Sequence, residues 1–357
     1  MNSLWSPAAL RLEPYTPGEQ CNDPSWIKLN TNETPFGPSA HALAAIQAEA
    51  SNALRLYPDP DARALREAVA RFHHVDPDMV FAGNGSDEVL AHAFAALFRQ
   101  DAPILLPDIT YNFYRSYCGL FDLQRIELPL TTNFEIDLTQ YDVSNGGIVF
   151  PNPNAPTGCS LELEHIEELL ERHRSSVVIV DEAYVDFGGA SAVPLVARHP
   201  NLLVVQTLSK SRGLAGLRVG FAIGQRSLVV ALERVKNSFN SYPLSRLAIA
   251  GGAAAIDDTR HLEETCARTA ANRDCLSRGL ADLGFEVLPS HANFVFARHP
   301  HARGSTLQQA LRERRILVRR FAQPRIEDHL RLTIGTSQQG EALLAALAGT
   351  LEREGLR

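Results

Sequence analysis

Six apolar runs, each closed by a turn, constrain this chain more than any other feature: 79–83 (MVFAG), 102–107 (APILLP), 146–151 (GGIVFP), 176–182 (SVVIVDE), 202–208 (LLVVQTL) and 218–224 (RVGFAIG). Val, Ile, Leu and Phe follow one another in them without apolar–polar alternation. A strand with one wet face alternates, whereas a strand covered on both faces does not. The runs therefore predict a mostly parallel sheet with helices on either side, an α/β fold. Helical patterns over 39–51, 61–73, about 87–99, near 110–120 and over 161–174 supply the covering layers.

The texture changes after a long helical region from about 244 to 284. FEVLP (285–289), ANFVFA (292–297), ILVRR (316–320) and LRLTIG (330–335) are separated by one helix and closed by another over 338–352. Strands with fewer helices predict a smaller C-terminal α+β domain. A chain of 357 residues also exceeds the usual single core. The expected division is an N-terminal arm over 1–35, packing with the small domain or a second subunit, a large domain over 36–255 and a small domain over 256–357.

Charge narrows the partners. Lys and Arg number 34 against 41 Asp and Glu, a net charge of −7, which argues against nucleic acid or an anionic membrane as the main partner. No apolar run approaches the ~20 residues of a membrane span, and the N-terminus lacks a basic segment before an apolar core, so no secretory signal is expected. Cys21, Cys118, Cys159, Cys266 and Cys275 form no CxxC pair, as in a reducing, cytoplasmic setting without disulfides or structural zinc. His73, His74, His165 and His173 lack metal-ligand spacing, so no metal is expected.

In open α/β sheets ligands bind beyond the carboxyl ends of the strands. Four polar segments stand there. Gly83-Asn84-Gly85-Ser86-Asp87 leads from a strand into a helix, and glycines there leave free N–H groups at a helix N-terminus for an anion. Asp181 leaves a buried strand, where a carboxylate needs a cation or a donor to stay ionised. Ser209-Lys210 follows the next run, and Arg218 opens the one after. A desolvated lysine has the free amine needed for a Schiff base, and Ser209 with the forked Arg218 suits a phosphate. Pro151–Gly158 is a rigid Pro/Asn turn. Together an anion cradle, an acid, an amine and an arginine at one sheet edge describe pyridoxal 5′-phosphate, whose ring nitrogen the acid keeps protonated. Farther on, alternation in His329–Ile334 turns Leu330, Leu332 and Ile334 to one face and Arg331 with Thr333 to the other, leaving open whether Arg331 meets solvent or a crevice.

These segments, with Pro14-Tyr15, Leu29–Pro35, Leu56–Asp59, Asp181–Tyr184, Thr207–Lys210, Gly213–Arg218 and Tyr242–Ser245, resemble the fold-type I, class II pyridoxal-phosphate-dependent aminotransferases over nearly the whole chain, most closely the branch that acts on histidinol phosphate. The resemblance implies a seven-stranded sheet and a homodimer with active sites at the subunit interface. It implies transamination between L-histidinol phosphate and 2-oxoglutarate, giving imidazole-acetol phosphate and L-glutamate. By the same resemblance Lys210, Asp181 and Tyr184 are catalytic: Lys210 the Schiff-base lysine and proton shuttle, Asp181 on the ring nitrogen, Tyr184 on the ring oxygen. Tyr111 stacks on the ring; Gly85, Ser86, Asp87, Ser209 and Arg218 surround the phosphate, and Tyr57 reaches it from the second subunit. Tyr15, Asn32, Asn293, Arg319 and Arg331 hold the substrate. One departure is Ala155 where such enzymes carry Asn before Pro-Thr-Gly; Asn154, or Asn152, is the expected substitute for its amide. An aromatic-amino-acid aminotransferase and a threonine-phosphate decarboxylase share the pattern. A transcription regulator of this fold would need an added DNA-binding domain before residue 30.

Overall fold

The computed structural model describes residues 4–21 and 23–356; residues 1–3 and 22 of the expected arm, and residue 357, lie outside the described residues. Among the described residues the strands in chain order are β1 (Ile27–Leu29), β2 (Val80–Gly83), β3 (Ile104–Pro107), β4 (Arg125–Leu128), β5 (Gly147–Pro151), β6 (Val178–Asp181), β7 (Leu202–Thr207), β8 (Gly220–Gly224), β9 (Glu286–Val287), β10 (Phe294–Arg298), β11 (Ile316–Arg320) and β12 (His329–Thr333).

Seven of them form one sheet in the order β2-β8-β7-β6-β5-β3-β4. All neighbouring pairs are parallel except those of β8, which runs antiparallel to both β7 and β2. Every residue of β5, β6 and β7 is buried, as two covered faces require. One face packs against Leu65, Val69, Ile166 and Leu169 of the helices Arg63–His73 and Leu163–Arg172. The other packs against Leu90, Phe94 and Leu232 of Gly85–Leu97 and Arg226–Phe239. The last of these helices is not among the elements expected from the sequence, although Leu228, Val229, Leu232 and Lys236 fall on one buried stripe.

The C-terminal strands form a second sheet, β1-β11-β12-β10-β9, antiparallel except for β1 beside β11. Leu330 and Leu332 turn into its core with Leu343 and Leu347 of the closing helix Ser337–Arg353. That helix begins with a reciprocal cap between Thr336 and Gln339. The aperiodic N-terminal stretch therefore contributes a strand, Ile27–Leu29, to the sheet made by the far end of the chain. Three residues pairing through the main chain are too short to show any period. No helix among the described residues is long and apolar enough to cross a membrane.

Candidate active site

Strand register sets the site. Pro151 of β5 lies beside Asp181 of β6, and Asp181 beside Val205 of β7, so β5 and β6 end level with each other, two residues before the end of β7. β7 continues through Thr207 into Ser209 and Lys210, and the chain returns as β8 with Thr207 beside Gly220. Gly220 also pairs with Gly83, which brings the start of the helix Gly85–Leu97 against the same edge. Between these ends lies a cavity of about 110 Å³ whose walls include Ser86, Asp181, Tyr184, Ser209, Lys210 and Arg218. Asp87, Tyr111 and Ala155 also line it, with Pro151, Ala183 and Thr207.

One end of the cavity is an anion cradle. Arg218, held in the left-handed region at φ 56°, directs Nη1 at Ser209 Oγ (3.4 Å) and Nη2 at Asp87 Oδ2 (3.2 Å). Thr207 Oγ1 donates to Ser209 Oγ at 3.0 Å. Gly85 sits at φ 84°, and a Cβ there would run into the Arg218 guanidinium, so the loop approaches only because it has no side chain. The N–H groups of the first turn of that helix have no intrahelical acceptor, which leaves them available to an anion.

The middle is acidic and phenolic. Asp181 is 4% exposed. Burial pushes its carboxyl up to about 6, against the pull of a hydrogen bond from Tyr114. Tyr114 Oη donates to Oδ2 at 2.8 Å, and the N–H of Ala183 to Oδ1 at 3.2 Å. Tyr111 crosses the cavity and donates to Asp87 Oδ1 at 2.8 Å. The Lys210 amine hydrogen-bonds the Thr31 carbonyl at 3.3 Å and lies 5.7 Å from the centre of the Tyr184 ring. Asn32, at φ 57°, donates from Nδ2 to Tyr184 Oη at 3.0 Å. Its own amide is fixed by Thr333 of β12 and its carbonyl by Asn293 Nδ2 at 2.9 Å.

Beyond the cavity wall, within electrostatic reach of Tyr184, stands a cationic pair. Arg319 of β11 stands directly opposite Arg331 of β12. Like charges in that relation repel, and here Arg331 is also desolvated: burial, then Arg319, lowers its pKa. One Nη donates to the Asn30 carbonyl at 2.8 Å, while Nε is sealed from water without a partner. The guanidinium lies 5.5 Å from the Phe294 ring and 5.6 Å from that of Phe321. A strand position that could turn to solvent instead half-buries its charge and seals its Nε, and an anion bound there would satisfy it. Tyr15 packs on Phe113 at 4.8 Å and on Tyr111 at 6.1 Å between ring centres, closing the side between arginines and cavity.

Two of the expected residues are not brought in. Asn154 is 1% exposed and its amide is already engaged, donating to the Ile109 carbonyl (3.0 Å) and Thr157 Oγ1 (3.2 Å) and accepting from Thr110 (3.1 Å). Asn152 likewise closes on Leu161. Neither amide replaces the missing Asn; Ala155 presents a methyl beside Tyr184, Ala292 and Phe294. Tyr57 lies outside the cavity of its own chain, 79% exposed and stacked on Tyr242 at 4.7 Å. In the other direction, Tyr114 was not foreseen. Its signal was the spacing of Tyr111, Tyr114 and Tyr117, which puts three hydroxyl-bearing rings along one helix face.

A phosphorylated pyridine aldehyde fits these groups end to end: a cradle closed to any Cβ, an acid buried beyond it, an amine and a phenol at the side. Among the described residues no group of His, Cys, Asp and Glu could hold a metal ion.

The family model for aminotransferase class I and II matches residues 24–347. Histidinol-phosphate aminotransferase 1 of Methylococcus capsulatus is 60% identical over 98% of either chain. The protein of the same name from Pseudomonas aeruginosa is 57% identical over 97% of this chain and 99% of its own. The crystal structure of histidinol-phosphate aminotransferase from Sinorhizobium meliloti with pyridoxal-5′-phosphate superposes with a TM-score of 0.87 at 22% identity, covering 99% of both chains. A match spanning both sheets and every segment of the cavity means that this chain belongs to the class I and II aminotransferases.

Proposed function

We propose that this chain is a pyridoxal 5′-phosphate-dependent transaminase that exchanges the amino group between L-histidinol phosphate and 2-oxoglutarate, forming imidazole-acetol phosphate and L-glutamate. The observation that carries the reading is the Arg319–Arg331 pair across β11 and β12, with a buried unpartnered Nε on Arg331, which lies within electrostatic reach of Tyr184 in the wall of the cavity that holds Lys210. Two substrates that differ in their anion, a phosphate and a carboxylate, must use one pocket, and a guanidinium donates in a fork to either. The full-length relatives bear the name of the same reaction.

When bound, the cofactor supplies a carbonyl that takes up the substrate amine and a protonated ring that draws electrons from its α-carbon. The chain's residues do the rest. Ser209, Arg218 and the N–H groups at Gly85 and Ser86 anchor the phosphate. Asp181 holds a proton at the ring nitrogen, and Tyr184 donates to the ring oxygen. Tyr111 keeps the ring flat against the wall and excludes water. Lys210 Nζ would hold the cofactor through its carbonyl and would serve as the base that takes the substrate's α-proton and the acid that returns it. Arg331 and Arg319, with Asn293 and Tyr15, hold the anionic end of the substrate so that the Cα–H bond faces Lys210.

Following the visible absorbance of the loaded enzyme while amines are added singly tests the substrate. Histidinol phosphate and glutamate are each expected to bleach the band in a single half-reaction; phenylalanine and tyrosine are expected to do so at least ~10-fold less efficiently, since they lack the phosphate. Equal response to phenylalanine, or carbon dioxide release from threonine phosphate, points to the alternative reactions.

The reading includes a homodimer. Leu54, Leu56, Tyr57, Phe239 and Tyr242 are exposed apolar side chains gathered around the Tyr57–Tyr242 stack, a surface that suits a second copy. Tyr57 would then reach the partner's phosphate cradle. Sedimentation should give a dimer, and Tyr57→Phe should weaken cofactor binding about 10-fold, the worth of one charge-assisted hydrogen bond. A monomer with full activity excludes the shared site. The division into arm, large and small domains at residues 35 and 255 belongs to the same proposal, as does a cytoplasmic location, which suits five free cysteines.

A further inference from the structure

Three tyrosines at a spacing of three, Tyr111, Tyr114 and Tyr117, line the inner side of the segment that enters the helix Phe113–Leu120. Tyr111 donates to the Asp87 carboxylate and Tyr117 to the Asp87 carbonyl, each at 2.8 Å. Tyr114, between them, is fully buried and forms no part of the cavity wall; it meets Asp181 Oδ2 from behind, also at 2.8 Å. Its ring is fixed by Tyr111 edge-on at 5.6 Å and by Phe94 stacked at 6.2 Å, so the hydroxyl has one direction. Among the described residues Asp181 has two hydrogen-bond donors, this hydroxyl and the Ala183 N–H, one for each oxygen. A carboxylate in so dry a place stays ionised only while such donors face it.

We propose that Tyr114 is a positioning residue whose hydroxyl keeps Asp181 ionised and turned into the cavity, and so keeps the cofactor's ring nitrogen protonated. The proposal rests on the cofactor reading above. The groups that face Asp181 set the sign of its pH dependence. Burial raises its pKa most, and Asp87, from the helix Gly85–Leu97, raises it further; Tyr114, Ala183 and Lys210, beyond β7, lower it. Tyr117 lies within electrostatic reach from the same helix as Tyr114. Removing the Tyr114 hydroxyl deletes the largest lowering influence, so Asp181 takes its proton at a higher pH. A protonated Asp181 loses its attraction for the charged ring, and cofactor affinity then fails at a higher pH on the acid side.

The test titrates the apoprotein with 4′-deoxypyridoxine 5′-phosphate, which has the ring and phosphate but no aldehyde for Lys210, across the acid range. In the unchanged chain affinity should fall on acidification. In Tyr114→Phe the midpoint of that fall should move up by about one pH unit, whereas Tyr117→Phe, which disturbs the same wall, should leave it in place. An unmoved midpoint in Tyr114→Phe, or an equal shift in Tyr117→Phe, overturns the proposal. Should Tyr114→Phe not fold, fluorotyrosine placed at 114 has nearly the same shape and donates more strongly; it should move the midpoint down, and no movement again overturns the proposal. An unchanged chain that fails to bind the analogue at any pH overturns the cofactor reading itself, a result distinct from an unmoved midpoint.

Discussion

Lys210→Ala is expected to lower turnover by roughly four orders of magnitude, through loss of the one amine placed to bond the carbonyl and move the α-proton. The same substitution removes the visible absorbance of a lysine-bound cofactor, so spectrum and rate should fail together. Stability should hardly change. Among the described residues the Lys210 amine makes one hydrogen bond, to the Thr31 carbonyl, and the loop that carries it is held by other contacts, including Ser211 on Asp186. Circular dichroism and thermal melting check that the variant is folded, and absorbance with a half-reaction assay checks the chemistry. A folded Lys210→Ala protein with ordinary turnover would remove the lysine from the mechanism and with it the transaminase reading.

The second large effect concerns Arg331. Arg331→Leu should raise KM for histidinol phosphate and for 2-oxoglutarate alike by about two to three orders of magnitude, the range expected when one partner of a desolvated, hydrogen-bonded charge pair is deleted. The melting temperature should not fall. Arg331 lies opposite Arg319, its Nε has no partner, and burial already lowers its pKa, so an apolar side chain of similar reach relieves repulsion and desolvation. Function and stability move in opposite directions at this position. Steady-state kinetics with both substrates and a melting curve decide it. A selective loss for one substrate would mean that the two anions are held by different groups.

What could be read in advance follows a physical line. β5, β6 and β7 were legible because burial on both faces demands unbroken apolar runs. β4 was not, because an edge strand reading Arg-Ile-Glu-Leu carries charges that face water. The reversed direction of β8 was also hidden, since a buried run looks alike in either direction. At the site, Asp181, Lys210 and Arg218 stood out as charges directly beyond apolar strands. Resemblance alone supplied the roles of Asn32 and Asn293. The amide of Asn154 points elsewhere because it pins its turn to Ile109 and Thr110 beyond β3, a long-range contact that no local pattern shows. Tyr114 escaped because a tyrosine on a buried helix face reads as core until the carboxylate at its tip is seen.

Asn32 ties the two sheets together at one atom group. Its amide reaches the phenol of Tyr184 on one side and Thr333 of β12 on the other, while Asn293 clasps its carbonyl. Arg331 sits two residues before Thr333 on that same strand. Occupation of the arginine end and the hydrogen bonding of the phenol thus share a single mechanical latch, and linkage makes such coupling reciprocal. An anion that settled β12 would then bear on the phenol, and a ring that engaged the phenol would bear on β12 in return.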